Sequence, residues 1–207
     1  MTYLLIVAAI ISAYLIGSFP SAYIAGRLRK GTDIRQEGSK NMGATNVFYN
    51  VGIVEGISVL LADAGKGVAA IALARYWGTP EPVQMLAGAV AVLGHIYPVF
   101  LKFRGGKGGA TAIGVFSFLM PWGIPFYASI FGILMRATRY STVSFGSAFI
   151  CFPFVAWFVY HQIGLMVFSV GLILFLFIMY FSRIKEMRAK GGSWNHVAFR
   201  KGLKDRL

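Results

Sequence analysis

The stretch Arg104-Gly105-Gly106-Lys107-Gly108-Gly109 places glycines and two cations directly between two apolar runs. Glycine reaches φ > 0 and admits close backbone approach, successive N–H groups form anion-binding nests, and Arg104 and Lys107 supply charge, so these residue types suit a phosphate. A basic loop between two membrane spans accounts for the charges as well, though not for the glycines. Upstream, Gly38-Ser39-Lys40-Asn41-Met42-Gly43-Ala44-Thr45-Asn46 offers neutral hydrogen-bonding groups from Ser39, Asn41, Thr45 and Asn46, a cation in Lys40, and turns at Gly38 and Gly43. An ordinary polar loop has the same make-up.

Between these loops, Asp63 and Lys66 stand three residues apart in an apolar stretch, which puts them on one face of a helix. Charges at membrane depth are costly, so they pair or face a polar cavity; a structural ion pair and a catalytic role both fit. His95 lies just before the glycine loop, and histidine suits proton transfer near neutral pH. A buried hydrogen-bonded histidine is the alternative reading. No three-ligand metal cluster is evident in the sequence, a Ser-His-Asp triad has no specific support, and no cofactor is expected. The single cysteine, Cys151, sits in an apolar run and reads as a packing residue.

The elements that must position these groups are membrane helices. Of the 207 residues, 57% are hydrophobic and only 13% charged, and the mean hydropathy is +0.67, which excludes a water-soluble globular domain. The net charge of +13 would suggest nucleic acid in a soluble protein. Here the basic residues alternate with apolar segments, so membrane topology explains them and no nucleic-acid partner is expected. The first apolar run, 3–24, has no basic residue before it and Arg27, Arg29 and Lys30 after it, which opposes a cleavable signal peptide and places the N-terminus outside. Further runs cover 51–77, 83–101, 109–135, 142–160 and 163–181.

A single crossing by 109–135 would scatter the later basic residues on the wrong side, whereas a fold-back at Pro121-Trp122-Gly123 makes them cytoplasmic and leaves only Arg75 outside. The expectation is therefore an all-α polytopic protein of seven membrane segments, N-terminus out and C-terminus in. Each arm of that hairpin has only about 12–14 residues, roughly 18–21 Å, too short to cross an ordinary bilayer core fully. Pro20 and Pro98 should break the first and third segments near their cytoplasmic ends, as is tolerated where backbone lines a polar cavity. One integral membrane domain, 1–182, precedes a basic cytoplasmic tail, 183–207, which either lies on the anionic leaflet or is solvated.

Several motifs in order resemble one family. Gly38-Ser39-x-Asn41-x-Gly43-Ala44-Thr45-Asn46-Val47, Leu93-Gly94-His95-x-Tyr97-Pro98-Val99-Phe100 and Gly105-Gly106-Lys107-Gly108-x-Ala110-Thr111 are similar to the signature of the bacterial acyl-phosphate:glycerol-3-phosphate acyltransferases. Gly17-Ser18-x-Pro20 and Asp63-x-x-Lys66-Gly67 also fit, and the resemblance covers about residues 4–145. It implies transfer of a fatty acyl group from acyl phosphate to the 1-hydroxyl of glycerol 3-phosphate, giving lysophosphatidic acid and phosphate in phospholipid synthesis. The implied location is the bacterial inner membrane, in contact with membrane lipids and with the site on the cytoplasmic face.

On that reading Arg104, Lys107 and the backbone of Gly105, Gly106 and Gly108 bind phosphate, with Asn41, Gly43, Thr45, Asn46 and Thr111 completing the pocket. Arg183 and Arg188 match the family's last helix, while His95, Asp63, Lys66 and Ser39 are the candidates for catalysis. The family pattern has an arginine where this chain has Tyr49, and a histidine and an asparagine where it has Ser182 and Lys185. The rival readings are a transporter or flippase of an anionic lipid or phosphate ester, and an inactive lipid-binding relative. Gathering the unusual residues on one face favours an enzyme over a transporter.

Overall fold

The computed structural model describes the backbone of residues 2–191 and the side chains of residues 3–140 and 143–181. Every regular element among the described residues is helical: α1 (Thr2–Gly17), α2 (Ser21–Lys30), α3 (Ala44–Asn50), α4 (Ile53–Tyr76), α5 (Glu81–Ile96), α6 (Gly109–Leu119), α7 (Gly123–Thr138), α8 (Ser141–Ala148), α9 (Cys151–Phe158) and α10 (Ile163–Gly191), with short 3-10 turns at Ile34–Gln36 and Val99–Leu101. Four stretches are long and apolar enough to cross a membrane: Tyr3–Lys30, Ile53–Tyr76, Glu81–Leu101 and Ile163–Phe181. Gly109–Leu119 and Val143–Phe158 are shorter apolar helical stretches.

Proline and glycine place most of the boundaries. Pro20, which has no N–H to continue α1, separates α1 from α2, and Gly31 ends α2 in the left-handed region at φ 66°. Pro80 precedes α5 and Pro82 lies in its first turn, while Tyr97-Pro98 closes it. The run 109–135 is interrupted between Leu119 and Gly123, where Pro121 stands. The run 142–160 differs from expectation: it is two helices, α8 and α9, separated at Phe149-Ile150. The last helix continues past residue 182 to Gly191. The side chains of Arg183 and Arg188 and all of residues 192–207 lie outside the described residues.

The helices form two compact units, Met1–Leu119 and Met120–Leu207. In the first, Ala9 and Ala13 of α1, Ala70 and Ala74 of α4 and Ala87 and Ala91 of α5 make one buried cluster. Glycines bring backbones into contact there: a Cβ on Gly17 would strike the Ala91 carbonyl, and one on Gly114 would strike that of Ala64. Such small-residue contacts drive helix association where the solvent is lipid. A second cluster, Ala22, Ile34, Met42, Val47, Val59 and Leu101, anchors the loops that follow α2 and α5.

The second unit packs through rings. Tyr127 lies against Phe131, Phe145, Phe149 and Phe152, with centroids 5.0–6.4 Å away, and its hydroxyl donates to the Phe145 carbonyl at 3.0 Å.

Candidate active site

Asp63, Lys66 and His95 converge inside the first unit. Asp63 is 0% exposed and Lys66 and His95 are each 6% exposed. The spacing of three in α4 does place Asp63 and Lys66 on one face, with Lys66 Nζ 2.6 Å from Asp63 Oδ1. His95 enters from the last turn of α5, its Nδ1 3.4 Å from Lys66 Nζ and 3.6 Å from Asp63 Oδ1. Two further groups come from the break between α1 and α2: the Phe19 carbonyl accepts from Lys66 Nζ at 2.8 Å, and the Ser21 hydroxyl donates to Asp63 Oδ1. Ser21 was not singled out from the sequence. The signal that would have found it is Pro20, because a chain break at membrane depth exposes backbone that polar side chains must satisfy.

The glycine loop folds directly onto this cluster. Gly105 N–H donates to the Ile96 carbonyl and Gly106 N–H to the His95 carbonyl, each at 3.1 Å. A Cβ on Gly105 would strike the His95 carbonyl, and one on Gly106 would strike His95 Nε2 and crowd the Met42 carbonyl at 2.7 Å. Close approach does require these glycines, but the approach is to the chain's own His95, Pro98 and Met42, where approach to a ligand was expected, and the two N–H groups cap α5. The nest expected at Gly105-Gly106 fails for a simple reason: the last carbonyls of a helix need donors, and the returning loop supplies them.

Donors of another kind lie one step further on. The first helical bond of α6 is Ala112 N–H to the Gly108 carbonyl at 2.9 Å, so the N–H groups of Gly109, Ala110 and Thr111 precede it. A helix N-terminus of this sort attracts anions through oriented N–H groups and the helix dipole. Gly108 takes φ 79° there, with Val92 and Ile96 filling the space where its side chain would be. Thr111 is 0% exposed, and its Oγ1 has no hydrogen-bond partner among the described residues. Lys107 is half-buried and Arg104 exposed. Lys102 and Phe103 just before them both adopt left-handed backbone, φ 53° and 60°, a conformation costly for side-chain-bearing residues and concentrated at functional sites.

The Gly38 to Asn46 loop meets the glycine loop at Met42. Its organiser is Asn46: Nδ2 donates to the carbonyls of Ile34, Glu37 and Asn41 at 3.0–3.1 Å, and Oδ1 accepts from Ser39 N–H at 3.1 Å and Asn50 Nδ2 at 2.8 Å. The amide expected to face substrate thus shapes the loop from within. Ser39 and Thr45 are exposed, and Asn41 and Gly43 are half-buried with the Asn41 amide folded over Gly43. Tyr49 is exposed on α3, edge-on to Phe48 at 5.3 Å.

Arg35 braces the same region, donating to Asp33 Oδ2 at 2.7 Å and to the Leu101 carbonyl at 3.4 Å. Hydrogen bonding from Arg35 holds the Asp33 carboxyl below its usual value, and Asp33 in turn raises that of Arg35.

The chain matches the sequence profile described as Glycerol-3-phosphate acyltransferase over residues 7–190. It is 51% identical over 206 residues to Glycerol-3-phosphate acyltransferase 2 of Dehalococcoides mccartyi, covering 99% of this chain and 98% of that one. Against the Glycerol-3-phosphate acyltransferase of Bacillus subtilis the identity is 44% over 141 residues, 68% of this chain and 72% of the relative. Among solved structures it is similar to PlsY, an integral membrane glycerol 3-phosphate acyltransferase, in its glycerol 3-phosphate form, with a TM-score of 0.81 and 29% identity over 98% of this chain and 95% of the other. The lysophosphatidic acid form of PlsY gives a TM-score of 0.78 at 27% identity, covering 96% of each chain.

Proposed function

This chain belongs to the glycerol-3-phosphate acyltransferase family, and from that premise we propose that it moves a fatty acyl group from acyl phosphate to the 1-hydroxyl of glycerol 3-phosphate, in phospholipid synthesis. The hydroxyl oxygen bonds to the acyl carbon, the carbon–oxygen bond to phosphate breaks, and inorganic phosphate leaves with lysophosphatidic acid as the other product. The observation that carries this reading is the start of α6: N–H groups ahead of the first helical bond, beside Lys107, at the end of a loop anchored on the buried Asp63–Lys66–His95 cluster. Both substrates bring phosphate, and that is the group such a terminus holds.

In this reading Lys107, Arg104 and the backbone from Gly108 to Thr111 hold phosphate by charge-assisted hydrogen bonds. Ser39, Asn41 and Thr45 line the pocket from the second loop, and Asn46 and Gly43 keep that loop in shape. Acyl phosphate is already activated, so holding both substrates in line and stabilising the developing oxyanion suffice, and a donor phosphate oxygen takes the hydroxyl proton.

The placement that fits has seven membrane segments in the inner membrane, with the N-terminus out and the C-terminus in. The site then faces the cytoplasm, and 183–207 form a basic cytoplasmic tail. Support comes from the basic residues Arg27, Arg29 and Lys30 at the end of the first span and Lys102, Arg104 and Lys107 just after the third.

The test is turnover. Purified protein incubated with palmitoyl phosphate and labelled glycerol 3-phosphate is expected to release lysophosphatidic acid and phosphate. Folded protein giving no product above a Lys107→Ala control rejects the reading, and product from palmitoyl coenzyme A but not palmitoyl phosphate rejects the donor. Labelling of a Trp122→Cys variant in a Cys151→Ser background should occur from outside; labelling from the cytoplasmic side overturns the topology.

A further inference from the structure

Two consecutive residues that carry side chains, Lys102 and Phe103, stand in the left-handed region at the entry to the glycine loop. Arg104 N–H donates back to the Leu101 carbonyl at 3.2 Å, which makes Leu101 to Arg104 a tight turn of the type I′ kind. Asparagine and glycine suit the two central positions of such a turn, and lysine and phenylalanine do not. Phe103 is 57% exposed, so burial of its ring does not offset the strain. Leu101 and Phe103 N–H both donate to the Pro98 carbonyl, which fixes the start of the turn but not its closure.

The carbonyl that closes the turn has a second donor. Arg35 Nη1 reaches Leu101 O from the loop after α2, at 3.4 Å. The guanidinium is fixed from its other sides as well: Nη2 lies 2.7 Å from Asp33 Oδ2, Nε lies 3.0 Å from Asp33 Oδ1, and Cζ is 5.4 Å from the centre of the Tyr23 ring. Asp33 Oδ1 also accepts from Arg35 N–H at 3.0 Å, and the adjacent Ile34 is buried in one cluster with Leu101. A planar guanidinium can serve a carboxylate, a ring face and a carbonyl together, as an ammonium cannot.

We propose that Arg35 is a positioning residue that latches the Leu101 carbonyl and holds the strained Lys102-Phe103 turn closed, so that Arg104 and Lys107 are set to receive the phosphate of glycerol 3-phosphate. The identity of that substrate rests on the acyltransferase reading; the latch does not. Without it the turn relaxes toward right-handed backbone, and only a fraction of the molecules presents the two cations. Affinity falls by that fraction, whereas a molecule that has bound substrate has its turn closed and reacts at the ordinary rate. The signature is a raised KM with kcat kept.

The experiment pairs hydrogen exchange with turnover, on the full chain in lipid nanodiscs. Amide exchange in a peptide covering 99–108, read by mass spectrometry, should be about tenfold faster in Arg35→Met, the size expected for losing a hydrogen bond to a charged group. A peptide covering 127–135, in the second unit, should be unchanged; equal acceleration there means general loosening and overturns the latch. Adding Lys102→Asn and Phe103→Gly, which favour the turn without help, should bring exchange back to within about threefold of the unaltered rate. Unchanged exchange in Arg35→Met, or no recovery by the added pair, overturns the latch whatever the enzyme assay shows.

Turnover supplies the second readout. Arg35→Met should raise KM for glycerol 3-phosphate about tenfold with kcat within about twofold, and the added pair should restore KM to within about threefold. Arg35→Lys keeps the charge beside Asp33 without the fork, so it should raise KM and speed exchange about fivefold, and it carries both measurements where Arg35→Met does not fold. A fall in kcat at unchanged KM, or Arg35→Lys matching the unaltered protein, overturns the positioning role. Absence of turnover in the unaltered protein, with exchange as stated, rejects the acyltransferase reading alone.

Discussion

In the unit Met1–Leu119 the helices meet through alanine and glycine, with the Ala91 and Ala64 carbonyls lying where Gly17 and Gly114 would carry side chains. In Met120–Leu207 the rings of Tyr127, Phe131, Phe145, Phe149 and Phe152 fill the space between helices. The difference teaches where this chain demands precision. Backbone against backbone leaves no side chain to yield, so helix spacing is set to within an atom. That is also the unit in which Asp63, Lys66, His95 and Ser21 must meet at hydrogen-bond distance. Rings can turn and repack at small cost, and among the described residues their unit holds no comparable ionic cluster.

The comparison breaks most visibly at matched glycines. Gly114→Leu drives a side chain into the Ala64 backbone and should leave little folded protein by size-exclusion chromatography, a loss above about 3 kcal/mol. Gly132→Leu, with nothing within 4 Å of its Cβ position, should elute unchanged. Comparable losses from both would mean that the two units are equally tight.

Next in size is the ion pair. Asp63→Leu strands the Lys66 charge and is expected to cost about 3–5 kcal/mol in denaturant unfolding, whereas Asp63→Leu with Lys66→Met should recover most of that stability without recovering turnover. Full recovery of turnover by the double variant would show that the cluster serves only packing.

A smaller effect is expected among the rings. Tyr127→Phe removes the bond to the Phe145 carbonyl and should cost about 1 kcal/mol in thermal unfolding, with the Phe cluster otherwise kept. A loss as large as that from Asp63→Leu would place equal precision in the second unit.

The smallest concerns Asp33, whose carboxyl is held below its ordinary value by Arg35. Its contribution is present above the unfolded carboxylate value of about 4 and disappears as pH falls through the lower folded value. Asp33→Asn should therefore cost less than about 1 kcal/mol at pH 7 and nothing in strong acid. A stability gap that persists at low pH would mean that the carboxylate charge is not what braces the loop.

Much of the frame was legible in residues taken one segment at a time. Apolar runs marked the helices because lipid tolerates little else, and Pro20 and Pro98 marked breaks because proline lacks the N–H that a helix needs. Asp63 and Lys66 were readable as neighbours because a spacing of three is a local property of a helix. The split of 142–160 into α8 and α9 has its signal in Pro153, which stands in the first turn of α9 and has no N–H for the Phe149 carbonyl four residues back.

By itself, then, the sequence determined that this is a helical membrane protein whose unusual residues lie in two glycine-bearing loops and one charged helix face. Local periodicity, backbone chemistry and the cost of charge in lipid act within a single segment, so they can be read there. Only the tertiary structure decided that His95 and Ser21 complete the Asp63–Lys66 pair, that Gly105 and Gly106 cap α5 while Ala112 makes the first helical bond of α6, and that Asn46 organises its loop from inside. Each of those outcomes depends on which carbonyl or amide from a distant part of the chain arrives first at a polar group, and helix packing alone settles that.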